Sequence, residues 1–135
     1  MAGYLIDSHI FFWAIDAPEK LHAAERALLG DANEDISVSV VTLWELSIKV
    51  AKGALPLSRG KPSVGDDYFA RQARIAGFGI LSIDPPEAEY VRRLPPIHRD
   101  PFDRLLVAQA ILSGRTVVTR DDVFSRYPGV RVFAS

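Results

Sequence analysis

The chain has 135 residues, 48% of them hydrophobic and 10% aromatic, which suits one compact domain spanning 1–135 with one core. It sets 16 Lys plus Arg against 17 Asp plus Glu, a formal net charge of -1, so no global positive field draws in nucleic acid and any such contact rests on local patches. The absence of cysteine excludes disulfide staples, zinc ribbons and thiol nucleophiles; the apolar runs fall short of the roughly 20 residues of a membrane span, and the expectation is a soluble cytoplasmic protein with no membrane partner.

Residues 3–6 form a short apolar run that meets Asp7 and Ser8, which predicts a buried strand, and the apolar residues 10–15 predict a half-buried helix behind it. Pro18 at a helix start, followed by Leu21, Ala24 and Leu28, predicts a second helix that stops at Gly30. After a turn over 31–35, residues 36–40 alternate in period 2 as a strand does. Thr42 then opens a helix with Leu43, Leu46 and Val50 on one side and Glu45, Lys49 and Lys52 on another. Glycines, prolines and basic residues predict a mobile loop over 53–62 ahead of a helix over about 64–76. Residues 78–83 predict a third strand, and Pro85 and Pro86 start a helix ending near Leu94. Asp100, Pro101 and Asp103 read as cap, first helical position and first-turn acid of a helix that closes at Ser113 and Gly114. Residues 116–119 predict a fourth strand with Asp121 just beyond it, and 130–134 a last one.

Strands alternating with helices predict a three-layer α/β/α domain with a mainly parallel central sheet, and such sheets bind ligands beyond the carboxyl ends of their strands. Asp7, Glu45 and Asp121 fall at or just past such ends, and Asp103 lies in a helix's first turn. Each has an ordinary reading. Asp7 and Asp121 serve as N-caps worth about 1 kcal/mol. Glu45 completes a capping box with Thr42 and pairs with Lys49, and Asp103 complements a helix dipole. Those readings leave unexplained why four acids share one edge. Oxygen-only ligands suit Mg²⁺ or Mn²⁺ over zinc or copper.

Four blocks carry a more specific signal: Tyr4-Leu5-Ile6-Asp7-Ser8-His9 with Trp13, then Val40-Val41-Thr42-Leu43-Trp44-Glu45-Leu46, then His98-Arg99-Asp100-Pro101-Phe102-Asp103-Arg104 running on to Gln109, then Val118-Thr119-Arg120-Asp121. In order and over nearly the whole chain they resemble the PIN-domain (PilT N-terminus) ribonucleases, in particular the VapC-type toxins. The resemblance implies a PIN-like fold and an acidic cluster of Asp7, Glu45, Asp103 and Asp121 holding one or two Mg²⁺ or Mn²⁺ ions, with Ser8 and Thr119 as supporting hydroxyls. It also implies a metal-dependent endoribonuclease that is the toxin of a type II toxin–antitoxin pair, cleaving structured RNA such as tRNA. Its partners would be a small antitoxin and a second copy in a homodimer.

Around the cluster, Asp100 reads as an N-cap and Asp122 as a neighbour pointing elsewhere. His9 and His98 match the family blocks without being its metal ligands and read as hydrogen-bonding loop or core residues; Trp13 and Trp44 read as core. For RNA, Lys49, Lys52, Arg59 and Lys61 are cations without an intervening acid, and Arg99 and Arg104 flank Asp103, with pairing to a cluster acid as the alternative for Arg104. The competing function is a non-catalytic PIN-like interaction module whose acids serve stability or a basic partner peptide. An aspartyl phosphatase is disfavoured because His9 stands where its second acid belongs, and neither GxxxxGK[ST] nor GxGxxG occurs.

Overall fold

The structure is a computed structural model that describes residues 3–57 and 65–134, so Arg59 and Lys61 lie outside the described residues. β1 (Tyr4–Ile6) leads into α1 (Ser8–Asp16), a 3-10 turn (Pro18–Lys20) and α2 (Ala23–Leu29). β2 (Ile36–Ser39), α3 (Val40–Ala51), α4 (Tyr68–Ile75) and β3 (Gly79–Leu81) follow. Then come α5 (Pro85–Tyr90) with a 3-10 turn (Val91–Arg93), α6 (Pro101–Ser113), β4 (Thr116–Val118) and a 3-10 turn (Asp122–Arg126). Among the described residues no helix is long and apolar enough to cross a membrane.

The strands form a parallel sheet in the order β3-β2-β1-β4. Successive side chains of a strand point to opposite faces, and this pleat sorts the core into two halves. Tyr4 and Ile6 of β1, with Val118 of β4, join Ile10, Phe11, Leu28, Phe69 and Phe78 on one face. Leu5 and Val117 join Leu94, Leu106, Val107, Ala110 and Phe124 on the other. Helices cover both faces, which gives the three-layer α/β/α architecture. It also explains why all of β2 is buried, Ser37 and Ser39 included, although its sequence alternates apolar and polar residues.

Several boundaries differ from the sequence expectation. The Ser39 hydroxyl accepts the Val41 amide at 3.0 Å, so α3 starts at Val40. Thr42 is therefore a buried interior residue, the Thr42–Glu45 capping box does not form, and Glu45 moves to the second turn. Pro18 starts only a 3-10 turn, because the helix after it begins anew behind His22, whose amide is accepted by Glu25 at 2.7 Å. Residues 130–134 contribute a single parallel bridge, Val132 to Val117, in place of a strand.

The strand order decides where a site can form. From β1 the chain builds outward through β2 to β3, then crosses back to place β4 on the other flank of β1. Such a switch point opens a crevice at the carboxyl ends of the two diverging strands, here β1 and β4. Ile6 is in register with Val118, and the Asp7 amide donates to the Val118 carbonyl at 3.1 Å.

Candidate metal centre

Asp7 follows β1 directly and is 4% exposed. Its Oδ1 accepts the Ile10 amide at 2.9 Å, so it does cap α1, and its Oδ2 accepts the Thr119 hydroxyl at 2.5 Å. Thr119 Oγ1 in turn accepts the Asp121 amide at 3.0 Å. One hydroxyl thus fixes the acid after β1 and the backbone of the acid after β4. Burial pushes the Asp7 carboxyl above its ordinary range, against the Thr119 and Ile10 bonds that favour the carboxylate, and the charge of Asp121 adds to the rise.

Asp103 comes from the first turn of α6. Asp100 caps that helix by accepting the Phe102 amide at 2.9 Å, and Pro101 occupies the first turn without needing a donor, as the sequence implies. Asp103 Oδ2 lies 2.8 Å from His98 Nε2. Desolvation, with the charges of Asp100 and Glu45, pushes its carboxyl up to about 6, and His98 opposes the rise. Glu45 projects from the second turn of α3, where its Oε1 accepts the Ser8 hydroxyl at 2.7 Å and its Oε2 lies 3.5 Å from Lys49 Nζ. Ser8 also bonds Thr42 at 3.1 Å, so the residue expected to cap the helix instead steadies the hydroxyl that orients Glu45.

The acids therefore stand in electrostatic contact: Asp7 feels Asp121, and Asp103 feels Glu45. Ligand atoms of His98, Asp103 and Asp121 all lie within 4.8 Å of one another, the one such group among the described residues. Asp7 and Glu45 stand outside that tightest group. Clustered carboxylates with one imidazole at their edge form a donor set that fits a small divalent cation. Sequence reasoning set His98 aside as a loop or core residue. The available signal was its place five residues before Asp103, at the mouth of the Asp100-capped helix.

Other side chains depart from expectation. The Arg104 guanidinium is taken up by the carbonyls of Val91, Pro95 and His98, at 3.0, 3.1 and 3.4 Å, which makes it a staple of the loop before α6 in place of a partner of a cluster acid. Lys49 is half-buried beside Glu45, while Lys52 and Arg99 are exposed. Trp44 is 57% exposed and packs edge-on against Phe102, so it is not core, whereas half-buried Trp13 does pack against the core. His9 is exposed in the first turn of α1, and Asp122 is exposed in the last 3-10 turn.

The sequence reading also missed an ion pair. Glu25, completely buried on α2, receives Arg120 through bonds of 2.6 and 3.2 Å, and Arg120 also reaches the Lys20 carbonyl at 2.6 Å. Burial pushes the Glu25 carboxyl upward, but Arg120 and the His22 amide outweigh it and hold the group below its ordinary range. Arg120 sits between Thr119 and Asp121, so the pair ties the acid-bearing segment after β4 to α2.

A family model described as the PIN domain matches residues 4–130. The chain belongs to the PIN-domain family. This PIN domain is similar to a protein named Ribonuclease VapC22 from Mycobacterium tuberculosis, at 30% identity over 122 residues, covering 90% of this chain and 88% of that one. In fold it is similar to FitAcB from Neisseria gonorrhoeae, with TM-score 0.70, 22% identity and coverage of 97% of this chain and 96% of that one. It is also similar to VapBC2 from Rickettsia felis bound to a promoter DNA fragment, with TM-score 0.68, 21% identity and 96% of each chain covered.

Proposed function

We propose that this PIN domain is a divalent-metal-dependent endoribonuclease and the toxin of a toxin–antitoxin pair, acting on structured RNA such as tRNA. The observation that carries the reading is the grouping of His98, Asp103 and Asp121 within 4.8 Å, with Asp7 tied through Thr119 to the Asp121 backbone and the charge of Glu45 acting on Asp103. Similarity to a protein named a ribonuclease, and in fold to a toxin–antitoxin complex from Klebsiella pneumoniae, supports it. The chemistry is hydrolysis: a water oxygen bonds to phosphorus, a P–O ester bond breaks, and the water's proton passes to a base while the leaving oxygen is protonated.

Asp7, Glu45, Asp103 and Asp121 would hold one or two Mg²⁺ or Mn²⁺ ions. When bound, such a cation lowers the pKa of water and offsets the charge that develops on the phosphoryl oxygens. The chain's own groups do the positioning. Thr119 and the Ile10 amide fix both oxygens of Asp7, Ser8 aims Glu45, and His98 orients Asp103. A cluster carboxylate in reach of the attacking water accepts its proton. Lys49, Lys52 and Arg99 attract the RNA backbone, and an antitoxin and a second copy of the chain are the protein partners.

The test is cleavage of total tRNA with Mg²⁺ or Mn²⁺ and with EDTA, for the wild type and Asp7→Asn. Cleavage that needs the metal and is lost in the variant is the expected result; equal cleavage under every condition sinks the reading. A metal-induced rise in Tm without any cleavage would favour the interaction module.

A further inference from the structure

Between α1 and α3 lies a pocket of about 240 Å³ that the acid cluster does not occupy. Phe12, Trp13, Leu46 and Leu55 supply its apolar lining, and Lys20 and Lys49 bring two positive charges to it. Two of its residues touch Glu45. Ser8 lines it and donates to Glu45 at 2.7 Å, and Lys49 lines it 3.5 Å from the same carboxylate. Trp13 is held in place by the Arg120 guanidinium, which lies over the ring 4.7 Å from its centroid while bonded to buried Glu25.

We propose that this pocket receives one unstacked nucleobase of the RNA strand beside the scissile phosphate, with Lys20 and Lys49 neutralising the flanking phosphates. The inference rests on the nuclease reading and extends it to substrate selection. Its warrant is complementarity of two kinds in one cavity. An indole and a phenyl ring offer flat apolar surface to any base, and two ammonium groups offer charge to the phosphates that every nucleotide carries. Bases splayed out of single-stranded loops are the usual object of sequence-selective RNA recognition. A base seated there lies next to Glu45, so pocket fit would decide which phosphodiester bond reaches the acids. Trp13, Phe12 and Leu55 thereby become specificity-determining residues.

Trp13 reports on its own pocket. The sequence contains two tryptophans, so Trp44→Phe leaves Trp13 as the sole tryptophan, which excitation at the red edge of the indole band separates from the four tyrosines. That chain is titrated, with Mg²⁺ present, with hydrolysis-resistant 2′-O-methyl tetranucleotides of adenine or uracil and with an abasic tetranucleotide of the same charge. The expected result is saturable quenching by the base-bearing probes only, with affinity that falls about sevenfold from 50 to 200 mM salt for two phosphate contacts. Lys20→Ala should weaken binding several-fold and raise KM on cleavable RNA more than it lowers kcat. Leu55→Glu should abolish quenching, with circular dichroism verifying the fold. Equal quenching by the abasic probe, or none by any probe in a chain that cleaves RNA, overturns the proposal. Quenching by a co-purified small protein partner but by no tetranucleotide also overturns it, because the pocket is then a protein-docking groove. Base-dependent quenching in a chain that cleaves no RNA under any metal condition retains the pocket and removes the nuclease reading instead.

Discussion

At the scale of single residues, Asp7 and Asp103 are held in the same direction by different surroundings. Asp7 is buried with both oxygens bonded, whereas Asp103 is less enclosed and pressed by Asp100 and Glu45. Thr119 acts on the first of them through its hydroxyl, so Thr119→Val should lower Mn²⁺ affinity about 10- to 100-fold, as loss of a ligand-orienting bond does, measured by calorimetric titration. The raised carboxyls also set a pH dependence. Asp103 moves from 3.8 when unfolded to about 6 when folded, so its contribution to stability is complete below the lower value and is lost as pH rises through the upper one. Glu25, held low, behaves oppositely: its contribution is present above its unfolded value of 4.5 and disappears on acidification through its folded pKa. In EDTA, Tm should therefore rise as pH falls from about 7 to about 5, then fall in stronger acid as Glu25 is protonated, read by thermal melts across that range. An EDTA melt that falls steadily from neutral pH would contradict the assignment to Asp103.

At the scale of elements, capping and pairing decide where the acids sit. Asp100 followed by Pro101 starts α6 as the sequence implies, because a cap and its amide are two residues apart and need nothing else. The same local logic fails at α3, where Ser39 and Thr42 compete to start the helix and the extended backbone of Ser39 at the end of β2, with its hydroxyl on the Val41 amide, settles the contest. The contact between α2 and the exit of β4 is of another kind, since Glu25 and Arg120 are 95 positions apart. Arg120→Ala leaves a completely buried carboxylate without its guanidinium. Because Arg120 is itself 29% exposed, the loss should lie at the low end for a broken buried pair, about 3 kcal/mol by urea denaturation. Arg120→Lys should recover part of it. At the entrance to β1, a Cβ on Gly3 would come 2.1 Å from the Asp35 carbonyl oxygen, which also accepts the Tyr4 amide. Gly3→Ala should therefore cost about 1–3 kcal/mol by pushing β1 away from that carbonyl.

At the scale of the whole molecule, the sheet order sets the ends of β1 and β4 side by side, and under the proposed function a cation held by the acids there would stabilise the fold. Mn²⁺ at a hundred times its Kd should stabilise the wild type by about 2.7 kcal/mol and leave Asp121→Asn nearly unmoved, checked by denaturation with and without the ion. The sequence by itself determined the four strand runs of the sheet, the start of α6 and the PIN resemblance, and it singled out Asp7, Glu45, Asp103 and Asp121 as candidates. Those features depend on periodicity, on caps a few residues long, or on motifs written out in order. Only the tertiary structure decided that β4 flanks β1, that Thr119 joins Asp7 across 112 positions, and that His98 meets Asp103 and Asp121. It also decided that Arg104 is spent on main-chain carbonyls and that Trp44 faces solvent. The physical reason is range: a helix cap is satisfied within one turn, whereas the partner of a buried charge is whichever group the crossing of the chain brings beside it.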